Sequence, residues 1–240
     1  MTRVVNDLLN FKNIKIIQDK DMFNFSLDSV LLPGFITLGK NYKKILDIGT
    51  GNAPIPLILS TKTDALIDCV EIQKESFEMA KENIKINNLD NKINVFHNDI
   101  KDFSLKCESD TYDAIVCNPP FFETKEDGNF NKIDSKKVAR HEGTLNLNIV
   151  IKVSKKLLKN KGKLAIVHRT DRMIDILCLM RENNIEPKKI MMVYPKRGRT
   201  SNIVLIEGSK NGGKGLKVLE PLVAHNDDGS YTEEVKKYFG

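Results

Sequence analysis

From Lys44 onward the chain alternates short, continuously apolar runs with stretches of helical periodicity, and that alternation limits the fold more than any other feature. The strand-like runs are Lys44–Ile48, Leu66–Glu71, Ile93–His97, Tyr112–Cys117 and residues 163–167. Helical periodicity fills residues 54–61, 75–87 and 147–158, and again 172–183, ending near Pro187. Strands that are apolar throughout need cover on both faces, as in parallel sheets with helical crossovers. The right-handed crossover rule then winds the sheet doubly. Two further strands, 189–194 and 202–207, are joined by Pro195-Lys196-Arg197-Gly198-Arg199-Thr200-Ser201. That link is too short for a parallel crossover, so the two must pair antiparallel. The expectation is an α/β fold with a mostly parallel seven-stranded sheet, an antiparallel hairpin at its end and helices on both faces.

Residues 1–40 lie outside this rhythm. Residues 14–17 and 23–25 are expected to form a short hairpin around 18–22. Ser26-Leu27-Asp28-Ser29 offers N-capping groups for a helix over the apolar run 30–38, interrupted at Pro33-Gly34. Two parts are expected: 1–40 as a hairpin and helix covering a cofactor site, and 41–240 as one compact domain. A chain of 240 residues with 40% apolar residues suits that size. No run reaches the roughly 18 apolar residues of a membrane span, and the first residues lack a signal-peptide core, so a cytoplasmic location is expected. The four cysteines have no CxxC spacing and are expected to be reduced, mostly buried thiols, with no metal site. Net charge is +6, compatible with an anionic partner but also with a general lysine bias.

Three strand ends carry a pattern. The first regular strand ends in Asp47-Ile48-Gly49-Thr50-Gly51-Asn52, where glycines let backbone approach a ligand and a helix N-terminus follows. The second ends in Glu71, about 20 residues after the glycines, where a carboxylate can take ribose hydroxyls. The third ends in Asn98-Asp99-Ile100. The G-x-G-x-x-G fingerprint of nicotinamide cofactors is absent, because Gly51 is followed by Asn52-Ala53-Pro54. The combination resembles the S-adenosylmethionine-dependent methyltransferases, of the Rossmann-like class I fold. By that resemblance the Asp47, Gly49 and Gly51 loop holds the methionine part, Glu71 the ribose and Asp99 the adenine amino group. Asn52, Ile72, Ile100 and Asn118 complete the candidate cofactor contacts.

The fourth strand runs into Asn118-Pro119-Pro120-Phe121-Phe122. This stretch resembles the signature of methyltransferases acting on planar amino groups, which implies adenine N6, guanine N2 or a glutamine amide as acceptor. A conjugated amine is a poor nucleophile. The Asn118 side-chain oxygen and the Pro119 carbonyl can each accept one N–H, turning the lone pair out of plane and stabilising charge as it develops on nitrogen. Pro120 stiffens the turn. Phe121 or Phe122 offers a face for base stacking, worth about 1–3 kcal/mol.

Several further segments resemble one family, the bacterial tRNA1(Val) adenine-37 N6-methyltransferases. They are Phe23-Asn24-Phe25-Ser26-Leu27-Asp28-Ser29-Val30-Leu31-Leu32, Ala139-Arg140-His141-Glu142, Val167-His168-Arg169, and Val193-Tyr194-Pro195-Lys196 with Gly198. The resemblance runs from about residue 7 to near the C-terminus. It implies methyl transfer from S-adenosylmethionine to adenine in a tRNA anticodon loop, with Phe25, Ser26 and Asp28 folding over the cofactor. Ala53 stands where the family commonly has glycine. The charged segment 123–144 is expected to order over tRNA, with Lys136, Lys137, Arg140 and His141 near phosphate or base. Lys196, Arg197 and Arg199 form a second basic cluster. Neither His97 nor His225 has a visible partner. A guanine or glutamine acceptor, and a non-catalytic RNA-binding module, stay open as alternatives.

Overall fold

The structure is a computed structural model, and it describes residues 3–8, 11, 14–19, 26–119 and 146–240. Two strands, β1 (Arg3–Asp7) and β2 (Lys15–Asp19), form a separate antiparallel hairpin. Then follow α1 (Leu27–Phe35), β3 (Lys44–Ile48), α2 (Pro54–Ser60), β4 (Leu66–Glu71), α3 (Lys74–Ile86), β5 (Ile93–His97), α4 (Ile100–Lys106) and β6 (Tyr112–Cys117). The second half holds α5 (Leu147–Leu157), β7 (Leu158–Arg169), α6 (Met173–Glu182), β8 (Ile185–Lys196), β9 (Ile203–Lys210), β10 (Lys217–Val218), β11 (Leu222–His225) and α7 (Glu233–Lys236).

The main sheet runs β10-β8-β9-β7-β6-β3-β4-β5, with β11 also on β8. Strands β5, β4, β3, β6 and β7 are mutually parallel, and β9 is antiparallel to both β7 and β8. The seven expected strands are therefore all present, and β10 and β11 extend the β8 edge in parallel. Side chains alternate between two cores. One face packs on α1, α2 and the C-terminal residues, with Val30, Leu57, Val116 and Val235 buried. The other packs on α4, α5 and α6, with Phe103, Val150, Ile115 and Ile176 buried. No helix among the described residues is long and apolar enough to cross a membrane.

Four expectations need correction. Strand β2 pairs with residues 3–7, a partner the expected hairpin did not include; residues 23–25 lie outside the described residues. Pro33-Gly34 does not break α1: the helix passes through both, and Gly34 leaves the space taken by the ring of Tyr238, which a Cβ would meet. Pro187 does not precede a strand but lies within β8, at a register shift between Pro187 and Lys189, where a missing N–H is tolerated. Of the thiols only Cys69 and Cys117 are buried; Cys178 is exposed.

Candidate functional site

Because β6, β3, β4 and β5 are adjacent and parallel, their carboxyl ends bring Asn118, Asp47–Gly51, Glu71 and Asp99 to one edge of the sheet. Register places Ile48 beside both Cys117 and Val70, so Gly49 leaves the sheet between Asn118 and Glu71.

The loop after β3 is built from left-handed backbone. Gly49, Gly51 and Ala53 have φ of 72°, 58° and 70°. Amides of Gly49 and Thr50 donate to the Val70 carbonyl at 2.9 and 3.2 Å. The Glu71 carboxylate accepts from Gly51 N at 2.8 Å and from Gln73 N at 2.8 Å, so it holds the glycine turn from the neighbouring strand. A Cβ added at Gly51 would meet nothing within 4 Å, so the turn faces open space. Ala53, where glycine was the expected family residue, is left-handed and fully buried; the conformation explains that preference. Pro54 then starts α2, where its fixed φ and missing N–H are harmless.

Asp47 is fully buried, and neither carboxylate oxygen has a hydrogen-bond partner among the described residues. Burial pushes its carboxyl up to about 7, and the charge of Glu71 adds to the rise. The Thr50 hydroxyl lies near enough to offset part of this, yet falls short of a hydrogen bond. An unpartnered buried carboxylate is costly unless something cationic or hydrogen-bonding meets it. Beside it, Ile48, Gly49, Val70, Ile72, Asn98, Asp99 and Ile100 line a slot. Ile72 is exposed on one wall and Ile100 buried on another. Asp99 caps α4, its Oδ1 accepting from Lys101 N at 2.8 Å, while Lys101 Nζ lies 3.5 Å from its Oδ2. These groups fit S-adenosylmethionine: an acid for the cationic end, a second acid at the end of the neighbouring strand for ribose hydroxyls, and an apolar slot for a purine.

Asn118 follows β6 directly, and Pro119 after it is buried. The Asn118 Nδ2 donates to Ser29 Oγ of α1 at 3.1 Å. Ser26 lies exposed at the N-cap of α1, and its hydroxyl donates to Asp28 Oδ2 at 3.0 Å. Burial raises the Asp28 carboxyl, and the Ser26 bond partly counters it. Asn52 turns its side-chain amide to the Ile17 carbonyl at 3.3 Å, so the side chain serves the hairpin. The Lys196–Arg199 turn between β8 and β9 lies at the same carboxyl edge, since β8 runs parallel to β7. Arg197 and Arg199 are exposed there, and Lys196 Nζ donates to the Asp227 carbonyl at 3.1 Å. Phe25, Pro120, Phe121, Phe122, Lys136, Lys137, Arg140 and His141 lie outside the described residues.

Comparison with known proteins follows the same lines. The family model "Methyltransferase small domain" matches residues 28–182. The chain belongs to this family. A curated relative in Tolumonas auensis, named tRNA1(Val) (adenine(37)-N6)-methyltransferase, is 31% identical over 93% of this chain and 91% of its own length. Among solved structures, one from Agrobacterium tumefaciens described as a predicted O-methyltransferase aligns at TM-score 0.67 with 15% identity, covering 88% of this chain and 94% of the other. A geranyl diphosphate C-methyltransferase from Streptomyces coelicolor, solved with S-adenosyl-L-homocysteine, aligns at TM-score 0.57 with 10% identity, covering 76% of each. At such identities the two structures speak for the fold alone.

Three features escaped sequence reading. Ser29 was read only as part of a capping stretch, yet it bonds Asn118. His97 Nε2 lies 3.0 Å from the Ile72 carbonyl and its ring stacks on Phe77; His225 Nδ1 lies 3.2 Å from the Pro195 carbonyl and stacks on Tyr231. For neither is a partner visible in the sequence. Their partners are backbone carbonyls and rings of other elements, which leave no local pattern.

Proposed function

We propose that this chain transfers a methyl group from S-adenosylmethionine to N6 of adenine 37 in the anticodon loop of tRNA1(Val). The observation that carries the reading is Asn118 at the end of β6, one strand from the Gly49–Gly51 turn and its buried acid. The name of the Tolumonas relative supports the acceptor.

S-adenosylmethionine, when bound, supplies an electrophilic methyl on a sulfonium. Asp47 and the Gly49–Gly51 turn receive its methionine end, Glu71 its ribose, and Asp99, Ile72 and Ile100 its adenine. Phe25, Ser26 and Asp28 close over it from residues 1–40, with 41–240 as the domain that carries the chemistry. On the acceptor side, the Asn118 oxygen and the Pro119 carbonyl take the two N–H hydrogens of the adenine amine. This directs its lone pair at the methyl group and favours the charge that develops on nitrogen. No strong base is needed, because the methylated amine is acidic enough to lose its proton to water afterwards. Pro120 keeps the turn rigid, and Phe121 or Phe122 stacks on the base. Lys136, Lys137, Arg140 and His141, with Lys196, Arg197 and Arg199, meet the RNA backbone. A cytoplasmic location goes with a tRNA substrate.

The test is methylation of total RNA from a strain lacking this protein, followed by nucleoside analysis. N6-methyladenosine in tRNA is the expected product; labelling of guanosine or protein alone would overturn the acceptor. Asn118→Ala is expected to nearly abolish transfer while cofactor binding stays measurable. Retention of most of the turnover would sink the role of Asn118.

A further inference from the structure

A side-chain amide has two ends of nearly equal shape and opposite hydrogen-bonding character. Half a turn about its last torsion exchanges them. The role of Asn118 tolerates only one orientation: with the oxygen toward the amine it accepts, and with the nitrogen there it sets donor against donor. Something outside the amide must break that symmetry.

Ser29 is placed to do so. It is buried in the first turn of α1, and its Oγ accepts from Asn118 Nδ2 at 3.1 Å. A hydroxyl oxygen that accepts from Nδ2 uses one of its lone pairs in that bond, and its own proton then points away from the amide. The helix that carries it packs on α2 and β7, so the acceptor stands on a rigid element. We propose that Ser29 is a positioning residue that holds the Asn118 amide with its oxygen toward the acceptor amine. The inference rests on the proposed function, in which that oxygen is the catalytic acceptor.

The test compares Ser29→Ala and Ser29→Cys with the parent chain, in kcat and KM for tRNA and in the Kd for S-adenosylmethionine measured by calorimetry. The thiol nearly preserves volume and is a weak acceptor, so it separates lost packing from a lost hydrogen bond. Both variants are expected to lose about tenfold in kcat, the scale of one hydrogen bond, with cofactor Kd within about twofold. In an Asn118→Asp background the carboxylate presents two like oxygens and has no wrong orientation. Ser29→Ala is expected to cost less than about twofold in kcat there. Unchanged kcat in Ser29→Ala overturns the inference. So does a loss of cofactor affinity parallel to the loss of kcat, which marks a structural role, or a full tenfold loss in the Asp background. If Asn118→Ala is inactive and Ser29→Ala is not, only the positioning role fails; if Asn118→Ala stays active, the proposed function itself fails.

Discussion

At the scale of single residues, Asp47 is the most informative. Its carboxyl titrates near 7 in the folded chain against 3.8 for a free side chain, chiefly through burial. The folded state therefore holds a proton that the unfolded state releases. That contribution is full below about pH 4 and is lost as pH rises through 7. Stability of the ligand-free protein in urea is expected to fall across this window, by a few kcal/mol at most since each pH unit is worth about 1.4 kcal/mol. Asp47→Asn should flatten the fall. A cationic ligand beside the acid favours its ionised form, so S-adenosylmethionine should bind more tightly at pH 8 than at pH 6. Equal calorimetric affinity at the two pH values would mean that Asp47 does not face the cofactor.

Among elements, the N-terminal hairpin is tied to the cofactor loop through one helix. Asn83 of α3 accepts from Ile17 N at 2.6 Å and donates to the carbonyls of Ile17 at 3.2 Å and Asn52 at 2.8 Å. One turn later Asn87 accepts from Lys15 N at 2.8 Å and donates to its carbonyl at 2.7 Å. Four helical residues advance about 6 Å and two strand residues about 6.6 Å, so two asparagines can pair the outer edge of β2 as a third strand would. They also blunt that edge against other chains. Asn83→Leu strands buried backbone groups of Ile17 and Asn52. It is expected to cost about 2–4 kcal/mol in denaturant unfolding, whereas the partly exposed Asn87→Ala costs about 1. Equal small losses would show that the tie carries little of the stability. The sequence reading missed it because side chains 66 and 72 positions away leave no periodicity in β2.

For the whole molecule, charge matters by where it lies. The net +6 is diffuse along the chain. Folding sets the Lys196–Arg199 turn on the same edge as Asn118, next to the end of β7: Thr170 N donates to the Asn202 carbonyl at 3.1 Å, and the hydroxyls of Thr170 and Ser201 lie 3.1 Å apart. Arg169 and Arg172 pair with Asp171 and Asp175 on this edge, exposed pairs worth little by themselves. Arg197→Ala with Arg199→Ala should weaken tRNA binding and lower the slope of its salt dependence by about two, one per phosphate contact. Cofactor affinity should not change. An unaltered slope would remove this turn from the RNA surface.

Sequence alone determined the parallel sheet, its antiparallel end, and the three acids and one asparagine at successive strand ends. Those follow from local rules: continuous apolar runs demand two covered faces, and a short link forbids a parallel crossover. It also placed Asn118-Pro119, two groups able to accept from an amine, directly after the fourth of these strands. Only the tertiary structure decided what the polar groups do to one another. It turned the Asn52 amide to the hairpin, left Asp47 buried without a hydrogen-bond partner among the described residues, and brought Ser29 to Asn118 across 89 positions. Hydrogen bonds act over about 3 Å in space and carry no memory of separation along the chain, so no spacing in the sequence announces them.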